Sequence, residues 1–162
     1  MSVTLGALLL AGSVGTYLQC LKAFTAAGNY AQIHGDGRSA VNWFAKDMRA
    51  ASQITSFNGS NVTITIPTAF SASGVILSNK TVSYTYNGSN ILYRTDSSTG
   101  KTAPLAYNIY QLTYTLFNHV GSNTTLVSAA KGIQLDIKLR KTMMNQTETE
   151  DYLSARFDMR NK

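Results

Sequence analysis

At 162 residues the chain has room for one modest globular domain after its charge-free opening, and too few residues for a second. Only 14% of the residues are charged, whereas Ser, Thr, Asn and Gly are abundant, a surface style that suits an extracytoplasmic protein better than a cytosolic enzyme. The net charge of +6 would suit a polyanion such as DNA, anionic lipid or acidic polysaccharide, and the lone Cys20 excludes both an intrachain disulfide and a cysteine-based zinc site.

Residues 1–21 contain no charged side chain, and Lys22 is the first cation. Leu5, Leu8, Leu9, Leu10, Val14, Leu18 and Leu21 lead an apolar stretch of the length that crosses a bilayer. Gly6, Gly12 and Gly15, with Ser2, Thr4, Ser13 and Thr16, interrupt it, and small residues at such intervals let helix backbones approach closely in lipid. A cleaved secretory signal fits poorly, because the first cation follows the apolar stretch instead of preceding it.

From Arg38 to Ile54 the apolar residues Val41, Phe44, Ala45, Met48 and Ala51 recur at helical spacing, so one face is meant for burial against a sheet. The Ala-rich stretch 23–31 joins the two halves, with Gly35-Asp36-Gly37 as the one place where continuity is threatened. A continuous helix of about 50 residues would measure about 75 Å, longer than a domain of this size can bury, so its first half must project.

After Phe57 the period changes to two. Val62, Ile64 and Ile66 form a strand that Pro67 is expected to close, and residues 68–80 read as a Ser/Ala/Gly-rich loop. Val82, Tyr84 and Tyr86 pair through Asn87-Gly88-Ser89-Asn90 with residues 91–94 as a hairpin. A strand over about 106–117 is expected to place Tyr110, Leu112, Tyr114 and Leu116 on one face. The clearest alternation sets Ile133, Leu135, Ile137 and Leu139 inward against Gln134, Asp136, Lys138 and Arg140 outward. A loop from Met143 to Glu150 follows, then a last strand with Leu153, Ala155, Phe157 and Met159 inward. The result is an α+β fold: a long N-terminal helix packed by its second half on a mostly antiparallel sheet of five or six strands. Its parts are a membrane-spanning helix half (1–33), an amphipathic half (34–56) and a sheet domain (57–162).

An apolar helix of the type Val3-Thr4-Leu5-Gly6-Ala7-Leu8-Leu9-Leu10, an amphipathic continuation ending Phe44-Ala45-Lys46-Asp47-Met48-Arg49-Ala50-Ala51, and then only strands resembles a type IV pilin-like protein. More narrowly the chain resembles the minor pilins and minor pseudopilins of type IV pili and type II secretion systems. Val82-Ser83-Tyr84 leading to Leu92-Tyr93-Arg94, and the ending Met159-Arg160-Asn161, are similar to the subgroup near the pseudopilus tip. The resemblance implies a subunit held in the bacterial inner membrane before assembly, with its sheet domain periplasmic or extracellular and other pilin or pseudopilin subunits as partners. It also implies a basic leader ending in Gly, cut by a prepilin peptidase before Phe-Thr-Leu-x-Glu, whose Phe is then N-methylated. None of these residues is present, and the expectation is that the reading frame begins upstream of Met1.

Catalytic motifs are missing: His34 and His119 lie far apart in sequence, and no phosphate loop, paired-histidine or paired-cysteine motif appears. Glu148, Glu150 and Asp151 form an acidic knot better read as a solvated turn than as a Ca²⁺ site, having too few oxygen ligands. The densest basic group, Lys131, Lys138, Arg140 and Lys141, has Ile133, Leu135, Ile137 and Leu139 as chain neighbours, without the interleaved aromatics of a nucleic-acid reader. Tyr84, Tyr86, Tyr110 and Tyr114 sit at strand positions where core packing accounts for them. The expectation is therefore a structural filament subunit with no catalytic residue, metal or cofactor, whose second helix half packs on the sheet through Val41, Phe44, Met48 and Ala51. The alternative is a membrane-anchored, non-polymerising β-rich domain that binds a surface glycan or DNA, and an anchored hydrolase would need His119 in a cleft beside a carboxylate.

Overall fold

With no proline before Pro67, nothing in the first part of the chain forces a helix to break. In the computed structural model, which describes residues 2–142 and 148–159 apart from the side chains of Ser2, Val3 and Leu5, helix α1 runs unbroken over Ser2–Ala50. Gly35-Asp36-Gly37 stays helical. Gly37 has a packing reason: a Cβ there would run into Leu153 Cδ1 and touch Leu139 Cδ1, so its lack of a side chain lets the helix lie close to the strands. The helix ends at Ala50, short of residue 56, because the β-branched Ile54-Thr55 pair is drawn into a strand.

Two antiparallel sheets follow, where the sequence reading expected one. The first is a meander of β1 (Gln53–Phe57), β2 (Asn61–Phe70), β3 (Ile76–Tyr86), β4 (Leu92–Asp96) and β5 (Lys101–Ala106), in that spatial order. The second comprises β6 (Ile109–Phe117), β7 (Asn123–Thr124), β8 (Gly132–Thr142) and β9 (Glu148–Asp158), in the order β7-β6-β8-β9. The β3–β4 hairpin forms where expected, with Gly88 at φ +80° supplying the left-handed turn conformation. A short 3-10 helix, Val127–Ala129, carries the chain across to β8.

The differences from expectation have local causes. Pro67 does not close β2, because β1 pairs no further than Thr65 and a bulge follows Pro67, so its missing N–H costs no central ladder bond. The expected loop 68–80 is mostly the outer ends of β2 and β3, paired up to Phe70 and Ile76. The expected strand 106–117 is split by Asn108 at φ +60°, which turns the chain from the first sheet into the second. Residues 148–150 of the expected Met143–Glu150 loop belong to β9, and 143–147 lie outside the described residues, as do Arg160 and Asn161. Tyr110 does not share the inward face of Leu112, Tyr114 and Leu116, for a bulge between Ile109 and Gln111 turns it outward.

The core lies between the second half of α1 and the two sheets, with α1 packed on β9, β8, β5 and β2. Phe44 is at its centre, its ring 4.9 Å from Tyr84, 5.5 Å from Tyr114 and 5.5 Å from Phe157, so one helical residue joins both sheets. Cutting Phe44 back to Ala removes all three contacts at a fully buried site, and the expected cost is about 3–5 kcal/mol of unfolding free energy. Urea denaturation of the wild type and F44A, followed by near-ultraviolet circular dichroism, measures it.

Candidate functional site: the projecting helix and its junction with the sheets

Among the described residues, the first half of α1 packs on no other element of the chain. Leu8, Leu9 and Leu10 are 74%, 68% and 69% exposed, and Val14, Leu18, Leu21 and Phe24 are exposed as well. Leu5 belongs to the same helix, its side chain outside the described set. The first fully buried helical residue is Ile33, which leaves a rod of about 45 Å at 1.5 Å per residue beyond the sheets. So large an apolar surface is unstable in water and needs lipid or other protein around it. By length and composition the helix is a candidate membrane anchor, with mean hydropathy 1.3 in its apolar window.

Three hydroxyls of the rod are satisfied from within the helix. Ser13 Oγ donates to Leu9 O at 2.8 Å, Thr16 Oγ1 to Gly12 O at 2.9 Å and Thr25 Oγ1 to Leu21 O at 2.8 Å. Each hydroxyl thus enters an apolar environment already bonded, which removes the main cost of burying it. A Cβ built at Gly6, Gly12, Gly15 or Gly28 would meet no described atom outside its own helical turn, so no other element of the protomer among the described residues needs a glycine there.

At the junction, Ile33, Gly37, Ala40, Phe44 and Met48 follow one another at helical spacing and are all buried. Of the residues expected to pack on the sheet, Phe44 and Met48 are fully buried, Ala51 is fully buried just beyond the helix, and Val41 is half-buried against the core. Ile33 and Ala40 extend this stripe toward the rod.

A polar lock accompanies the apolar stripe. Asp47, only 5% exposed, accepts from Tyr84 Oη at 2.6 Å and from Arg94 Nε and Nη2 at 2.7 and 3.2 Å, tying α1 to β3 and β4. Trp43 stacks on the Arg94 guanidinium at 5.2 Å. The network continues to Asp96, which lies 3.5 Å from Arg94 Nη2, accepts from Lys80 Nζ at 2.8 Å and from Ser98 Oγ at 2.6 Å. Burial, reinforced by the Asp47 charge, pushes the Tyr84 phenol far above its ordinary value, and the hydrogen bonds to Asp47 hold Arg94 charged. Lys80 and Ser98 hold the Asp96 carboxyl well below the usual carboxylate range. Where the rod leaves the sheets, His34 Nδ1 meets Asp151 Oδ2 at 2.8 Å, with Tyr30 stacked on the imidazole, and Lys141 Nζ donates to Gln32 Oε1 at 2.6 Å. Burial raises the pKa of Asp36 in the same region, and its Oδ2 has no hydrogen-bond partner among the described residues.

Sequence reasoning missed this lock. Its signal was present: Asp47 falls on the helical face shared by Phe44 and Met48, and a carboxylate there requires buried donors. The acidic knot dissolves into paired strand residues, with Glu148 and Glu150 on Arg140 and Asp151 on His34. His119 is exposed in the β6–β7 turn and makes no ion pair among the described residues. Among those residues no group of three or more His, Cys, Asp or Glu side chains could hold a metal ion.

A long apolar N-terminal helix, free in its first half and packed by its second half on antiparallel sheets, is a pilin-like architecture. No protein-family model matches the chain, and a search of curated proteins likewise finds no match.

Two outcomes follow from the lock. R94M strips Asp47 of its cation in a site only 15% open on the arginine side, and a loss of about 3 kcal/mol is expected on chemical denaturation. Because the folded pKa of Asp96 is depressed, its contribution is complete above the unfolded carboxylate value of about 4 and fades as the pH falls below it. Thermal melts between pH 7 and pH 2 should therefore show a steeper acid decline in the wild type than in D96N, with D96N the less stable at neutral pH.

Proposed function

We propose that this chain is a structural subunit of a helix-cored filament, of the minor pilin or minor pseudopilin kind. One observation carries the reading: the first half of α1 is exposed and apolar, the hydroxyls of Ser13, Thr16 and Thr25 are bonded within the helix, and a Cβ at its glycines would meet nothing among the described residues outside their own turns. An anchor that meets only lipid gains nothing from Gly12 and Gly15, which lower helix propensity and apolarity together. Glycines repay that cost where another helix backbone comes close.

In this reading the rod holds the subunit in the inner membrane before assembly. It then moves among the equivalent helices of neighbouring subunits, exchanging lipid for protein with the hydroxyls of Ser13, Thr16 and Thr25 already bonded. The Asp47 lock and the Phe44 core transmit force between the rod and the sheets, which face outward. The partners are other subunits with the same helix, and a prepilin peptidase acts on the precursor if a leader precedes Met1. No cofactor enters this mechanism.

Replacing Gly12 and Gly15 by Leu separates filament subunit from plain anchor. Both changes favour the helix and its insertion, and a Cβ at either position has open space outside its own helical turn. Expressed in the native cell, G12L/G15L should stay in the membrane fraction at wild-type level while its co-purification with other long-helix subunits and its presence in sheared filaments fall about tenfold or more. Unchanged co-purification and filament content would reduce the helix to an anchor.

A further inference from the structure

The outward face of the second sheet has features that neither the core nor the helix requires. Strand alternation sends Lys138 and Asp136 of β8 and Tyr152 and Ser154 of β9 away from the core. On β6 the bulge after Ile109 lets Tyr110 and Gln111 both face outward before Leu112 turns back in. Tyr110 and Tyr152 are each 57% exposed, and they stand on the strands either side of β8. Gln111, Lys138 and Tyr152 occupy one cross-strand row. Two concavities of about 260 and 250 Å³ adjoin there and share Lys138 and Tyr152; Tyr110 and Arg140 line the first, Gln111, Thr113 and Asp136 the second.

Electrostatics selects the class of ligand. Arg140 lies 3.9 Å over the Tyr110 ring and is paired with Glu148 at 3.2 Å and Glu150 at 2.6 Å. Asp136 accepts from Tyr152 Oη at 2.9 Å and from Gln134 Nε2 at 3.1 Å. Arg156 lies 4.0 Å over Phe117, with Asp158 at 3.8 Å. The face thus carries Asp136, Glu148, Glu150 and Asp158 against Lys138, Arg140 and Arg156, and of these three cations Lys138 alone has no ion-pair partner among the described residues. A phosphate backbone would meet more carboxylates than cations, which opposes nucleic acid despite the net charge of the whole chain. A neutral polyol meets no such penalty. The open parts of the two tyrosine rings offer apolar surface to the C–H faces of pyranose rings. Lys138, Gln111, Thr113 and Asp136 offer donors and acceptors to hydroxyls along the same row.

We infer that the outward face of the second sheet, between Tyr110 and Tyr152, is a binding site for a neutral, extended oligosaccharide. The site is independent of the filament reading, since it uses no residue of the rod. The test uses the full chain in a sugar-free detergent, on a printed panel of neutral hexose and N-acetylhexosamine oligosaccharides. Titrations with chitohexaose, cellohexaose and an oligothymidylate accompany it. Binding to at least one neutral oligosaccharide is expected, weakened about tenfold by Y110A and by Y152A, as one stacked ring lost implies, and retained in Y152F and in W43A. Y152F keeps the ring and drops only the bond to Asp136, so it separates loss of stacking from loss of the fold. No binding across the panel, neutral-sugar binding indifferent to both alanine variants, or tighter capture of the oligothymidylate would each overturn the inference.

Discussion

One unbroken helix has to satisfy two environments, and the packing of both sheets against its second half follows from that constraint. From residue 6 to residue 32 almost every described side chain is open to the surroundings, whereas Ile33, Gly37, Ala40, Phe44 and Met48 are sealed against strands. The described strands cover almost none of the rod, which meets them at its base through the bond from Lys141 to Gln32, so its apolar surface calls for lipid or other protein around it. The lower half has the opposite character: Gly35 and Gly37 are poor helix formers, and the helix persists there because Leu153, Leu139 and the aromatic cluster around Phe44 hold it.

An apolar stripe alone would tolerate rotation and slippage of the helix over the sheets. The Asp47 contact does not. A shift of one turn would separate a buried carboxylate from Tyr84 and Arg94 and leave Asp47 without the donors that satisfy it, a larger penalty than any single aliphatic contact imposes. Arg94 also engages Trp43 and approaches Asp96, which Lys80 and Ser98 hold in turn, so the position of the helix is referred to β3, β4 and the turn after β4. The His34–Asp151 pair provides a second reference point where the rod begins.

The fold was legible wherever a residue's role follows from its neighbours in sequence. The helix, its apolar first half, the β3–β4 hairpin and the alternation in β8 all belong to that kind. What could not be read depends on pairing at a distance. The Ser/Ala/Gly-rich stretch 68–80 has low strand propensity, yet residues 68–70 and 76–80 become strand because β2 and β3 complete each other's ladder. The division into two sheets rests on a single left-handed residue, Asn108, and on the bond from Ile109 N to Asn90 O. One bulge moves Tyr110 from an expected core position to the surface, and with it an aromatic reaches the cations of β8 across strands, an arrangement invisible along the chain. Of the junction, Phe44 and Met48 followed from periodicity while Ile33 and Ala40 did not, and Asp47 was passed over because its partners lie on strands 37 and 47 residues away.

The most direct measurement is what the rod touches in the cell. A photo-crosslinking amino acid placed singly at Leu8, Leu9 and Leu10 samples the circumference of the helix, because successive residues turn by about 100°. Irradiation of intact native cells, followed by mass spectrometry of the adducts, reads the neighbour at each position. A filament subunit is expected to give protein adducts to the apolar helices of other subunits at two or more of the three positions. Adducts to lipid alone at all three would contradict that assignment.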